Sequence, residues 1–281
     1  MKQIEKAGIV CCSNGLDAGR KEEVDEVMQI LTQMGITPVI SEHIYAKGDL
    51  FSGTGKERAQ DLMRLYEDED VGVIFDISGG DIANEILPYL DFDVIQKYPK
   101  PFWGYSDLTT ILNAVYTKTG KEGVLYQIRN LVRDESGVLR RAFAETLLEG
   151  KDSLFDFPYR FVQGNHMEGV VAGGNIRCFL KLAGTAFFPD LTGKILVLES
   201  LGGRVPQFVT FLSQLKCMGV FERIAGIVLG TFTQLEAEGG SPDIVTLVQE
   251  YAGELPIVKT DRIGHGADSC GVRIGAYRIF S

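Results

Sequence analysis

Apolar residues follow two alternating rhythms along most of this chain. Residues 7–12 (AGIVCC) and 71–77 (VGVIFDI) are short, nearly unbroken apolar runs, the pattern of strands covered on both faces. Elsewhere apolar side chains recur every three or four positions: Val24, Val27, Met28, Leu31 and Met34; Ala59, Leu62, Leu65 and Tyr66; Leu108, Ile111, Leu112 and Val115. That spacing predicts helices over 17–34, 57–66 and 108–116, and Gly35 is placed to end the first of them. Short strands are expected at 38–40 and 102–103. Strand and helix alternating in this way imply a parallel sheet with helices on both faces.

The pattern loosens between 131 and 167. Residues 139–148 read as a helix, whereas 153–164 carry aromatics and Pro158 with no clear period and read as a connection. Alternation then resumes, with strands expected at 169–172, 194–199 (KILVLE), 225–229 and 256–258, helices at 175–182 and 205–218, and a closing strand over 272–279. At roughly 150 residues per domain, a 281-residue chain divides into two. The expected organisation is an α/β domain over 1–152, a linker over 153–168 and a smaller α/β domain over 169–281.

Composition narrows the class of function. Apolar residues make up 45% of the chain, enough for a sizeable core, and the net charge of −10 argues against a nucleic-acid partner, which would demand a basic face. Residues 1–6 contain no leader-like apolar core, and no apolar stretch approaches the ~20 residues of a membrane helix. The expectation is a cytoplasmic protein with no membrane partner. Cys11, Cys12, Cys178, Cys217 and Cys270 are odd in number and scattered, as befits free thiols in a reducing compartment. None of the three histidines, His43, His166 and His265, has metal-ligand spacing, so no metal is expected, and His43 and His166 read as surface or satisfied side chains. The GTGK at 53–56 has Leu50 where a phosphate loop needs glycine and Glu57 where it needs a hydroxyl. The GHG at 264–266 opens no dinucleotide fingerprint, so no cofactor is expected either. The run EDED at 67–70 reads as a solvated loop.

Four loops carry candidate chemistry. Gly104-Tyr105-Ser106-Asp107 lies between a strand and a helix, where a serine hydroxyl can be exposed on a sharp turn at the positive end of the helix. The bland reading of Ser106 is a helix cap. Glu199 ends a buried strand, where α/β proteins place ligands, or where a polar residue simply marks the exit to solvent. His265 lies between two glycines that let its backbone approach another loop; the bland reading is a turn histidine. Gly79-Gly80 follows a strand and can turn backbone N–H groups toward a cleft, or merely form a tight turn. Taken together they supply a nucleophile, a base, a carboxylate to orient the base, and donors for an oxyanion.

These stretches resemble the LD-carboxypeptidase family of serine peptidases, which includes the microcin C immunity peptidases. The resemblance is carried by GIVCCS, by the long block GKERAQDLMRLYEDEDVGVIFDISGGDIANEILPYLDFDVI, and by GYSDLTTILNAVYTKTG, GGNIRCFLKLAGT, KILVLES and GHG. It implies an N-terminal flavodoxin-like domain and a smaller C-terminal domain of swivelling type, with the site between them. It also implies a Ser106–Glu199–His265 triad, an oxyanion hole at the backbone N–H groups of Gly80 and Asp107, a homodimer, and no metal. The implied substrate is a small peptide or muropeptide with a terminal D-residue on an L-centre. The same chemistry on an aminoacyl-nucleotide conjugate is the alternative, and a non-catalytic module binding a peptide or small ligand is the rival from another class. Two departures bear on the substrate: Ile77-Ser78 stand where the family usually has an arginine before the paired glycines, and Tyr126-Gln127-Ile128 stand where it often reads His-Gly-Pro.

Overall fold

The unbroken apolar runs become the centre of a sheet. Lys6–Val10 (β1), Thr37–Ile40 (β2), Val71–Asp76 (β3), Phe102–Gly104 (β4) and Gly123–Leu125 (β5) are all parallel, in the order β5-β4-β3-β1-β2. The computed structural model describes residues 4–48 and 50–281; residues 1–3, on which part of the leader reading rests, lie outside them. Ala7, Ile9 and Val10 of β1 and Val73, Ile74 and Phe75 of β3 are fully buried because helices cover both faces. Those helices are Lys21–Gln33 (α1), Gly55–Glu67 (α2), Phe92–Lys97 (α3), Thr109–Thr119 (α4) and Val138–Glu149 (α5). The GTGK segment starts a helix: Thr54 caps α2 in a reciprocal capping box with Glu57. The strand order is the flavodoxin-like one, in which ligands bind beyond the carboxyl ends of the strands where the order reverses. Here that is the mouth between β1 and β3, beside β4.

A second six-stranded sheet follows, built from Arg160–Gln163 (β6), Met167–Asn175 (β7), Ile195–Ser200 (β8), Gly226–Phe232 (β9), Ile257–Lys259 (β10) and, at the chain's end, Tyr277–Phe280 (β12). Strands β7 to β10 run parallel, and β6 and β12 close the two edges antiparallel. Four helices, Ile176–Leu180 (α6), Val205–Cys217 (α7), Thr233–Ala237 (α8) and Ile244–Ala252 (α9), accompany this sheet. Every residue of β8 is buried. The two-domain α/β fold expected from the alternation is therefore the fold found. Among the described residues no helix is long and apolar enough to cross a membrane.

Two segments differ from their sequence reading. Residues 153–164 are not a free connection: they bury Leu154, Phe155 and Phe157 and supply β6. As an edge strand β6 has half-covered side chains on both sides, so no clean alternation marks it. The closing strand expected over 272–279 is two strands. Val272–Ile274 (β11) pairs antiparallel with β5 in the first sheet, and after Gly275 the chain crosses to β12 in the second.

Helix α4 and strand β7 meet in a buried seam. Asn113 on α4 donates to the Gly173 carbonyl at 2.9 Å and accepts the Gly173 N–H at 3.0 Å. One turn earlier, Thr109 Oγ1 accepts the Asn175 N–H at 3.0 Å. All of these groups lie in the interior, where an unpaired amide costs about 1–3 kcal/mol. Replacing Asn113 by Ala orphans both Gly173 groups. Chemical denaturation of Asn113→Ala should show a loss of at least about 1–3 kcal/mol, and a stability equal to that of the native chain would show that the seam contributes nothing.

Candidate active site

The first loop of the site is a strained one. Among the described residues, Ser106 is the only one other than glycine with positive φ, at 57°. It follows β4, opens a single 3-10 turn (Ser106–Leu108) and leads into α4. A side chain in this left-handed conformation is costly and persists only where its surroundings enforce it. Ser106 Oγ lines a cavity instead of capping the helix: Leu108 stands at the cap of α4, with no side-chain cap bond.

His265 comes from the loop between β10 and β11. Its Nε2 lies 3.1 Å from Ser106 Oγ, and its Nδ1 lies 2.9 Å from Glu199 Oε2. The contact is close but lacks the angle of an aligned hydrogen bond, and neither atom has a hydrogen-bond partner elsewhere. Such contacts commonly tighten when substrate binds. The loop is fixed from below: Ser269 Oγ donates to the Gly264 carbonyl at 2.8 Å, and Thr231 N–H donates to the Ile263 carbonyl at 2.7 Å. A Cβ on Gly264 would stand 1.8 Å from Thr231 Oγ1, so the glycine before the histidine is what permits the approach.

Glu199, near the end of β8, is completely buried. A charge in that position needs donors. Asn175, which caps α6 with its side-chain oxygen, turns its amide nitrogen to Glu199 Oε1 at 3.0 Å. Tyr105 is buried alongside and meets the His265 ring edge-on at 5.0 Å between centroids. Burial first, then the adjacent Glu199 charge, push its phenol well above the ordinary range. The tyrosine therefore stays neutral and walls the carboxylate from water.

The Gly79-Gly80 turn closes the cavity from the first sheet. Gly80 has φ of 129°, and a Cβ there would meet the Asn14 side chain at 2.2 Å, so no other residue fits. Asp81 N–H donates to Asn14 Oδ1 at 2.9 Å, and beneath the turn the buried Asp76 carboxylate accepts the Cys12 and Ser78 N–H groups, each at 2.7 Å, and the Ser78 hydroxyl. Burial raises the Asp76 carboxyl above its ordinary value even though these donors pull it back. Asp107 contributes its backbone next to Ser106, while its side chain is wholly buried and accepts Ser13 Oγ and the Ala83 N–H, both at 2.7 Å, together with Lys181 Nζ.

Ser106, Gly80 and His265 thus line one cavity of about 180 Å³, with Glu199 directly behind the histidine. The sequence reading missed Asn175, Tyr105, Arg129 and Arg133, whereas Ser78 and Gln127, from the two departures it marked as bearing on the substrate, do line this cavity. Only the first carried a signal, an asparagine where a helix begins after a strand. His43 and His166 stand apart: His43 is buried with Nδ1 2.9 Å from Asp61, and His166 is exposed. The adjacent Cys11 and Cys12 are buried, and burial pushes the Cys11 thiol up to about 12 and that of Cys12 well above its usual range, which leaves neither as a nucleophile.

Comparison with known proteins agrees over most of the chain. Residues 7–127 match the family description "LD-carboxypeptidase N-terminal domain", and residues 168–278 match "LD-carboxypeptidase C-terminal domain". The chain is 27% identical over 266 residues to a protein of Bacillus subtilis named probable murein peptide carboxypeptidase, covering 91% of this chain and 83% of that one. It is 29% identical over 234 residues to the microcin C7 self-immunity protein MccF of Escherichia coli, covering 72% and 68%. The fold superimposes on MccF solved in complex with glutamyl sulfamoyl guanosine with a TM-score of 0.89 at 22% identity, over 99% of this chain and 93% of that one.

Two measurements probe this local chemistry. Asp76→Asn leaves the Cys12 N–H facing an amide NH₂, and denaturation should register a loss of roughly 1–3 kcal/mol; an unchanged midpoint would remove Asp76 from the support of the glycine turn. Iodoacetamide applied to the folded protein near pH 8 should alkylate the exposed Cys217 and spare the four buried thiols, as mapped by peptide mass.

Proposed function

Because the chain belongs to the LD-carboxypeptidase family of serine peptidases, we propose that it removes a terminal D-amino acid from an L-centre in short murein-derived peptides, with Ser106, His265 and Glu199 as its triad. The observation that carries this reading is the succession Ser106 Oγ to His265 Nε2 at 3.1 Å and His265 Nδ1 to Glu199 at 2.9 Å. In this mechanism His265 Nε2 takes the Ser106 proton as Oγ attacks the scissile carbonyl carbon. The resulting oxyanion accepts hydrogen bonds from the Gly80 and Asp107 N–H groups, each donor lowering the barrier by roughly 3–4 kcal/mol. Collapse breaks the C–N bond, and Nε2 returns its proton to the departing amine, leaving an ester on Ser106. A water then attacks that ester while Nε2 takes its proton, and a second collapse releases the shortened peptide and restores the serine. Glu199 holds the imidazole orientation and stabilises its protonated form throughout.

The small cavity supports a single leaving residue. Pockets that enclose a drug-sized ligand run to roughly 300–1,000 Å³, whereas this one has about 180 Å³. The similarity to MccF motivates the competing substrate, an aminoacyl-nucleotide conjugate, and the same assay decides between them. The protein is proposed to act in the cytoplasm as a homodimer; five free thiols, four of them buried, suit a reducing compartment.

A fluorophosphonate should label the native chain stoichiometrically at Ser106, as located by peptide mapping, and label Ser106→Ala not at all. Labelling elsewhere, or none, would favour the binding-module alternative. With a muropeptide tetrapeptide as substrate, His265→Ala should lower kcat by about 10⁴-fold or more, and Glu199→Gln by about 10⁴-fold. A fully active His265→Ala would remove the mechanism, and turnover of the aminoacyl-nucleotide alone would replace the substrate.

A further inference from the structure

The wall of the serine's cavity carries uncommon charge for so acidic a chain. Arg129, in the 3-10 turn Ile128–Leu131, lines the cavity with its side chain only 11% exposed. Its Nε donates to Gln127 Oε1 at 3.3 Å, and Gln127 in turn donates to the Ser78 carbonyl at 3.4 Å, which ties the guanidinium to the Gly79-Gly80 turn. Its Nη1 approaches Glu23 at 3.3 Å. Its Nη2 has no hydrogen-bond partner among the described residues. Arg133, one turn on, lines the same cavity and meets Glu23 at 3.1 Å, and Arg20 lies 3.5 Å from the same carboxylate. One glutamate therefore serves three guanidiniums. Burial is the main influence lowering the Arg129 pKa; Glu23 opposes it, and Arg20 and Arg133 reinforce it. A buried, under-compensated guanidinium with a free edge is an anion site waiting for its ligand.

Given the reading of Ser106 as nucleophile, on which this inference rests, we propose that Arg129, assisted by Arg133, binds the anionic group of the departing portion of the substrate, the free terminal carboxylate of the residue that is cut off. One extended residue spans about 3.5 Å, so an amide carbonyl held at Ser106 leaves that carboxylate inside the same small cavity. The arrangement makes the enzyme an exopeptidase: a chain that continues beyond the leaving residue, or one blocked as an amide, presents no charge to the arginines. An aminoacyl-nucleotide offers the same chemistry from another source, through the anionic linkage beside its scissile amide.

The test pairs two peptides that differ only at the end, a tetrapeptide terminating in a D-alanine acid and the same peptide terminating in D-alaninamide. The native enzyme should favour the acid by roughly 10- to 100-fold in kcat/KM, the range expected of charge-assisted hydrogen bonds. Arg129→Gln should bring that ratio close to one, and Arg133→Gln, at an exposed position, should lower it part of the way. Both variants should still be labelled at Ser106 by an uncharged fluorophosphonate, which shows that the site is still formed. A ratio near one in the native enzyme, or a ratio that survives in both variants, overturns the subsite while leaving the peptidase standing. Equilibrium binding of the two peptides to Ser106→Ala, with and without Arg129→Gln, separates the remaining case. Tighter binding of the acid that depends on Arg129, with no peptide hydrolysed by the native chain, keeps the anion site and discards the peptidase. An aminoacyl-adenylate mimic whose turnover alone depends on Arg129 assigns the anion to the nucleotide source and overturns the carboxylate.

Discussion

The arrangement depends on one buried contact between domains, the side chain of Asn113 paired with both backbone groups of Gly173. It joins the helix that begins just after Ser106 to the strand that ends at Asn175, and Asn175 is the residue that holds Glu199. With Thr109 bonded to the Asn175 N–H in the same seam, the helix after Ser106 and the support of Glu199 are referenced to each other by buried hydrogen bonds. A chemistry split between two sheets requires such a reference, because a misplacement of about 1 Å can cost roughly 10²-fold in rate. The return of β11 to the first sheet adds a second tie, since it follows directly from the loop that carries His265.

Buried carboxylates recur wherever a loop of the site must stay still. Asp76 gathers donors from Cys12 and Ser78 under the glycine turn, Asp107 gathers Ser13, Ala83 and Lys181 beside the serine, and Glu199 takes Asn175 behind the histidine. Each desolvated charge is tolerable only because its partners are fixed, and each in turn fixes those partners. The strained backbone of Ser106 sits between two of these anchors. Arg129 differs in kind: its compensation is shared and incomplete, which is the mark of a group arranged for a ligand and not for the fold alone.

Much of this was legible along the chain. The strand–turn–helix around Ser106, the buried strand that ends in Glu199 and the glycines beside His265 are local patterns, set by hydrophobic periodicity and by what glycine alone permits, so they appear within a dozen residues. Edge strands were not legible. β6 is half-covered and aromatic, and β11 is three residues long inside what reads as one continuous strand; their pairing partners lie more than ninety residues away along the chain. Arg129 gave no signal either, because an arginine beside an irregular turn looks the same whether it meets solvent or a cavity.

By itself, then, the amino-acid sequence determined the parallel α/β class and the inventory of hydroxyl, imidazole and carboxylate, each on its own strand end or loop. Only the tertiary structure decided that His265 reaches across 159 positions to Ser106 and lies beside Glu199, and that Arg129 lines the same cavity as the serine and histidine. The physical reason is one of range. Periodicity and capping act over a few residues, whereas distances between side chains on separate sheets follow from how the sheets pack, which here rests on the Asn113–Gly173 seam and the crossing of the final strands.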